Sequence, residues 1–243
     1  MYDFPETADI ETSSEDYARR FSGEVGSWFL KVQEEVTLRM LAPYPKSTVL
    51  DVGGGHGQIT EALVRNGYRV TVLGSAEVCK QRIKTMIDHG RCSFQVGNIL
   101  DLPYPEGSFD VVLSYRLLSH VTQWRRFLTE LTRVARRAVM VDYPPVRSVN
   151  YISPLLFDWK KRVEGNTRPY TCFRESELLE AFKPAGFIVS DRYPQFVFPM
   201  VVHRMLKSPR VSSSMERFLH FSGLTRWFGS PVILKLVREE VRA

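Results

Sequence analysis

The sequence predicts an α/β fold: a doubly wound, mostly parallel sheet of seven strands with helices on both faces and a helical lid. Three observations carry this. Val49, Leu50 and Val52 form a short apolar run of the kind a buried parallel strand needs, and it leads into Gly53, Gly54, Gly55 and Gly57. Extended and helical patterns then alternate as far as Asp142, as they do where strands are joined by crossover helices. Two stretches, near 146–172 and 200–230, are rich in aromatic and basic residues and interrupt the alternation as insertions would.

A chain of 243 residues with 44% hydrophobic residues suits one globular domain. No apolar run approaches the ~20 residues of a membrane span, and the N-terminus lacks a signal-peptide pattern, so a cytoplasmic location is expected. Cys79, Cys92 and Cys172 are widely spaced and odd in number, which fits neither a disulfide framework nor a metal site. The formal charge of +6 is unevenly spread. Asp3, Glu6, Asp9, Glu11, Glu15 and Asp16 stand among the first 16 residues with no base, leaving 33 bases against 21 acids in the remainder. Residues 1–15 therefore read as an acidic mobile leader, and 16–243 as the single domain. The basic remainder suits an anionic partner, or is simply the surface of a basic enzyme.

In chain order, Tyr17, Phe21, Val25, Trp28, Phe29, Val32, Val36 and Met40 recur every three or four residues. They predict an amphipathic helix over 14–41, broken at Gly23 or Gly26 and stopped before Pro43. After the first strand, Ile59, Leu63 and Val64 mark a helix that stops at Gly67, so the glycines occupy a strand-to-helix turn. There the backbone can meet a ligand closely and helix N–H groups face an anion. Further strands are expected at 68–73, 92–97, 109–114, 138–142, 186–198 and 231–237. Helices are expected at 76–89, around Trp124 to Val134, and at 150–163, 175–183, 200–207 and 213–228.

The glycines do not give G-x-G-x-x-G, because Gln58 and His56 stand where glycines would be needed. Asp51, Gly53, Gly55 and Gly57 give D-x-G-x-G-x-G instead. Residues 98–115, N-I-L-D-L-P-Y-P-E-G-S-F-D-V-V-L-S-Y, are similar to a segment common in small-molecule methyltransferases. From Thr48 to Asp142 the chain resembles the class I S-adenosylmethionine-dependent methyltransferases of the UbiE-like type, which have a Rossmann-like fold. The resemblance implies S-adenosylmethionine as cofactor, its methionine part held by Asp51, Gly53, Gly54, Gly55 and Gly57. It implies that Asn98 meets the adenine amino group, that Ile99 and Leu100 sandwich the ring, and that Tyr115 and Arg116 lie beneath the methionine end. The family's acid for the ribose hydroxyls would fall on Gly74, a departure. Glu77 is expected to reach in from the following helix, helped by Ser75. The helix over the cofactor implied by the family would bring Tyr17, Arg20 and Trp28 to the pocket, unless these side chains are core.

A sulfonium methyl is already electrophilic, so positioning is the main demand, and a general base is needed only if the acceptor keeps its proton. His120 and Tyr143, after the fourth and fifth strands, are the candidate bases; a packing or hydrogen-bonding role is the alternative for each. No metal site is expected. The function expected is methyl transfer to oxygen, carbon or nitrogen of a small-molecule or lipid-like acceptor. A quinone-precursor C-methyltransferase is the narrower reading and a non-catalytic binding protein the different one. Nucleic acid is not expected as a partner, since no RNA-binding motif or zinc module is present. The apolar stripes at 151–159 and 213–228, flanked by Arg and Lys, either pack on the sheet or form a basic-rimmed lid for an amphiphilic acceptor, with peripheral contact to anionic membrane.

Overall fold

The computed structural model describes residues 4–148 and 170–239. Its centre is a seven-stranded sheet in the order β3-β2-β1-β4-β5-β7-β6. The strands are β1 (Thr48–Val52), β2 (Arg69–Gly74), β3 (Ser93–Val96), β4 (Phe109–Ser114), β5 (Ala135–Tyr143), β6 (Phe187–Phe196) and β7 (Ser230–Arg238). The first five pair in parallel, and β7 is antiparallel to both β5 and β6. All seven expected strands are present; the fifth extends three residues further upstream, to Ala135.

The helices are α1 (Ala8–Thr12), α2 (Glu15–Arg19), α3 (Gly23–Leu41), α4 (Gln58–Arg65), α5 (Lys84–Asp88) and α6 (Trp124–Val134), followed by α7 (Glu175–Phe182), α8 (Met200–Leu206), α9 (Pro209–Phe221) and α10 (Leu224–Phe228). The expected long helix over 14–41 is two helices, and the break falls at Gly23 (φ +76°), not Gly26. The helix expected at 76–89 is a tight 3₁₀ segment, Glu77–Ile83, before one turn of α5. Gly223 (φ +80°) likewise divides the helix expected at 213–228. The segment expected as a helix at 150–163 lies outside the described residues, as does most of the first insertion.

Strand side chains alternate between two apolar cores. Leu50, Val52, Val112, Val139, Val141 and Leu234 face α6 and α7, where Phe127, Leu131, Leu178 and Phe182 are buried. Val49, Val111, Leu113, Ala138, Met140 and Ile233 face α3 and α4, where Val36, Met40, Leu41, Ile59 and Leu63 are buried. Because helices cover both faces, most residues of β1, β4 and β5 are apolar, which is why these strands read as runs rather than alternations. β1 is central: β2 lies on one side and β4 on the other. Chain connections leave in opposite directions there, opening a crevice at the carboxyl ends of these two strands.

Residues 4–15 are not a mobile leader in the structure. They fold as α1 and the start of α2 and dock across that crevice, because their acids find buried hydrogen-bond donors. Glu6 accepts from the backbone N–H and hydroxyl of Thr122 at 2.9 and 2.8 Å, and Asp9 is fully buried against Ser75.

Leu113 is fully buried on β4 within the core beneath α3. Leu113→Ala is expected to lower the unfolding free energy by roughly 2–5 kcal/mol, measurable as a shift of the urea midpoint with unchanged slope.

Candidate active site

The glycine turn closes the carboxyl end of β1. Gly53 and Gly57 adopt φ of +77° and +75°, the left-handed region that side chains with a Cβ resist. Between them the chain makes one 3₁₀ turn, Gly54–His56, before α4 begins. The carboxylate of Asp51 folds under this turn: a Cβ on Gly54 would lie 2.1 Å from it. Gly55 is tight for a reason that differs from ligand contact, because a Cβ there would meet the Cys79 carbonyl oxygen at 2.3 Å and Ser13 Oγ at 2.4 Å. His56 is buried, and burial with two nearby arginines holds its ring neutral.

Arg116 enters the crevice from the end of β4. Its backbone sits at φ +60°, unusual for a side-chain-bearing residue and costing about 1–3 kcal/mol. That conformation is held by Asp142 at the end of β5, whose Oδ1 accepts the Arg116 N–H at 2.6 Å. The guanidinium donates to Gln33 of α3 and Gln58 of α4 and lies over the Phe21 ring at 4.3 Å. Gln33 also donates to Asp142, at 3.5 Å. Four elements thus converge on one arginine flanked by two buried acids. Burial raises Asp51 to about 7, against the opposing pull of the Thr60 hydroxyl bond and Arg116. It raises Asp142 to about 6, against the same arginine. Asp51 Oδ1 is buried without a protein hydrogen-bond partner, so a donor from a ligand has an acceptor waiting.

At the end of β2, beside Gly74, a carboxylate comes in from the N-terminal segment. Asp9 of α1 accepts the Ser75 N–H at 2.6 Å and the Ser75 hydroxyl at 2.5 Å, with the Cys79 thiol at 3.4 Å. Glu77, expected there, instead lies exposed and pairs with Lys80 one turn along its 3₁₀ segment. Ser75 does stand at the site, as a buried donor.

Asn98 spends its side-chain oxygen on the Leu100 N–H at 2.9 Å, closing a tight turn. Ile99 and Leu100 are buried in the same apolar cluster as Ala8 of α1. Tyr115 is buried in the core beneath α3 with its hydroxyl 3.0 Å from that of Thr37, so its hydroxyl is committed there, while Arg116, next in the chain at positive φ, carries its guanidinium to Gln33 and Gln58. Tyr17 senses Arg116 and Asp142, and burial raises its pKa. Trp28 packs on Phe29, Phe196 and His203 beneath the lid, away from the crevice. Arg20 lies over the Tyr17 ring.

Of the two candidate bases, Tyr143 has its hydroxyl committed to Glu175. Burial and the Glu175 carboxylate, which accepts its hydroxyl, push Tyr143 well above the ordinary phenol range, so it stays protonated. His120 ends a 3₁₀ turn edge-on to Tyr170, with ring centroids 5.6 Å apart. Beyond Tyr143 opens a cavity of ≈ 710 Å³, lined by Phe173, Trp227 and the arginines 147, 174, 192 and 226. Among the described residues no cluster of His, Cys, Asp or Glu suits a metal ion.

The fold and this crevice define a class: enzymes that hold a zwitterionic, nucleoside-bearing cofactor at the switch point of a doubly wound sheet. Residues 50–140 match the methyltransferase domain family. The chain is 30% identical over 193 residues to the demethylmenaquinone methyltransferase of Clavibacter sepedonicus, covering 70% of this chain and 78% of that protein. It is 29% identical over 170 residues to a glycine/sarcosine/dimethylglycine N-methyltransferase of Actinopolyspora halophila, covering 68% of this chain but 26% of that longer protein. Among solved folds, magnesium protoporphyrin IX methyltransferase from Synechocystis PCC 6803, with bound S-adenosylhomocysteine, superposes with a TM-score of 0.63 at 15% identity, covering 94% of this chain and 96% of that one. The chain belongs to the class I S-adenosylmethionine-dependent methyltransferase family.

Asp9, Gln33, Gln58 and Arg116 are the site residues that sequence reasoning left without a role or with a vague one. Arg116 was the one with a signal, standing two residues beyond a strand end. Asp9→Ala would leave the buried Ser75 donors unpaired. It is expected to cost roughly 1–3 kcal/mol and to speed tryptic cleavage at Arg19 and Arg20 as α1 detaches. Unchanged stability and cleavage would mean that α1 is not held by this contact.

Proposed function

We propose that this chain binds S-adenosylmethionine in the β1/β4 crevice and transfers its methyl group to a small-molecule acceptor seated in the arginine-lined cavity. The observation that carries the reading is the Asp51–Arg116–Asp142 cluster. The methionine end of the cofactor offers one ammonium and one carboxylate, and the cluster offers an unpartnered carboxylate oxygen and a guanidinium. When bound, the cofactor supplies a methyl group on a sulfonium, electrophilic without further activation. What remains for the protein is to shed water and align the acceptor within about 3–3.5 Å. Ser75, Asn98 and the buried Ile99–Leu100 pair are assigned to the nucleoside end. For the ribose, Asp9 replaces Glu77 as the nearest carboxylate.

The cavity carries the acceptor half. Its arginines suit an acidic group and its Phe173 and Trp227 a flat apolar body. Tyr143, held protonated, donates its one proton to Glu175 and so fixes that carboxylate, which also accepts from Arg192 Nε at 2.6 Å. A second reading narrows the acceptor to a quinone precursor, supported by the similarity to the demethylmenaquinone methyltransferase.

Calorimetry is expected to show S-adenosylhomocysteine bound with micromolar affinity and no competition from NAD. Arg116→Ala should weaken that binding by roughly 1.5–3 kcal/mol, while NAD bound in place of the sulfonium product would overturn the assignment. The pH dependence has a defined sign. Asp51 titrates near 7 when folded against 3.8 ordinarily. The folded state therefore holds the extra proton in between, and stability falls as pH rises through that window. A bound ammonium favours the charged carboxylate, so binding should release a proton and tighten as pH rises from about 6 to about 8. Asp51→Asn should reduce both effects, leaving the share of Asp142, which titrates near 6, read by calorimetry in buffers of different ionisation enthalpy. For the acceptor, incubation with demethylated naphthoquinols and with aromatic carboxylates, scored by S-adenosylhomocysteine formed, separates the two readings.

A further inference from the structure

The helical lid α8–α10 is inside out. In α8 the one buried residue is His203; in α9 the buried residues are Ser212 and Glu216; in α10 it is Thr225. All are polar. The residues turned outward are apolar: Met205 is 77% exposed, Phe218 70%, Phe221 91% and Trp227 60%. Val201, Leu206, Val211, Leu224 and Phe228 are exposed with them, so nine of the thirteen large exposed hydrophobics in the described chain fall within 28 consecutive residues. Helical spacing puts Phe218 and Phe221 opposite the buried Ser212 and Glu216 on α9, with Arg210 and Arg217 along their flank.

The inversion is fixed, because Glu216 anchors the polar side. Its carboxylate accepts the N–H groups of Val197 and Phe198, just past β6, at 2.9 and 3.0 Å and meets His203 Nε2 of α8 at 3.0 Å. Rotating α9 to hide its phenylalanines would bury the arginines and break these bonds. The charge is equally one-sided. Between residues 200 and 229 stand Arg204, Lys207, Arg210, Arg217 and Arg226, all exposed, and the single acid is the buried Glu216.

An apolar surface with cations among its side chains and no exposed acid is complementary to a surface that is apolar within and negative at its rim. We propose that α8–α10 docks this chain on an anionic lipid surface, with Phe218 and Phe221 entering the headgroup boundary and the lysine and arginines meeting lipid phosphates. Trp227 and Arg226 line both this face and the cavity beyond Tyr143, so the acceptor cavity opens beside the docked surface. A neutral apolar partner would leave the cations without counter-charges, and a second copy would bring arginines against arginines.

The test is co-sedimentation of the whole chain with phosphatidylcholine vesicles with and without phosphatidylglycerol, alongside size-exclusion chromatography. Binding to the anionic vesicles at low salt is expected, with at least about a tenfold loss when salt is raised several-fold. Phe218→Ser/Phe221→Ser and, separately, Arg210→Ala/Arg217→Ala should each abolish it. Both pairs are exposed, so thermal unfolding and S-adenosylhomocysteine binding should stay as in the parent protein. That second readout also separates this proposal from the cofactor assignment, since either can fail while the other holds. Absence of binding at low salt, equal binding to neutral vesicles, or parental binding by the variants would overturn it. So would a dimer that Phe218→Ser/Phe221→Ser dissolves while the parent ignores vesicles.

Discussion

The bond from the Arg116 N–H to Asp142 is the contact on which the candidate site depends. It holds a strained, left-handed residue at the end of β4 by the carboxylate at the end of β5. Turned this way, the guanidinium reaches Gln33 and Gln58, so the glycine-turn helix α4 and the covering helix α3 are referenced to the same point. Strain of this kind persists only where the surroundings over-determine it. Here two strand ends, two helices and the Phe21 ring do so. Burial draws both carboxyls toward neutrality, against the pull of the arginine between them.

The acidic N-terminal segment follows from the same geometry. A doubly wound sheet leaves donors exposed at its strand ends, the Ser75 and Thr122 N–H groups among them. Asp9 and Glu6 satisfy both, so α1 spans the crevice from the end of β2 to the loop after β4. Ser13 and Asp9 then lie against the glycine turn itself. Access to the crevice is therefore linked to how tightly two carboxylates hold short helices of little intrinsic stability. The lid shows the converse: one buried carboxylate, Glu216, fixes polar residues inward and leaves an apolar face outside.

Much of the fold was legible because its signals are local. Parallel strands covered on both faces must be apolar throughout, and residues 48–52, 109–114 and 138–142 are nearly so. The glycine turn was legible because positive φ at two positions and close packing at two more admit little else. Element boundaries were less so. Residues 76–89 have a helical pattern, yet the packing of Cys79 and Ile83 against the glycine turn tightens the first half to a 3₁₀ segment.

The sequence by itself determined the sheet and its switch point, since both rest on periodicity that neighbouring residues impose on one another, and its glycine turn and residues 98–115 carried the resemblance to the family. Only the tertiary structure decided which side chains meet in the crevice. Asp9 reaches Ser75 across 66 residues and Gln33 reaches Asp142 across 109, distances over which no local pattern carries information. It also decided which face of α9 is buried. Its phenylalanines read as core by hydrophobicity alone, but the N–H groups of Val197 and Phe198 at the end of β6 demanded an acceptor. Glu216 could supply one only by turning the apolar face to the outside.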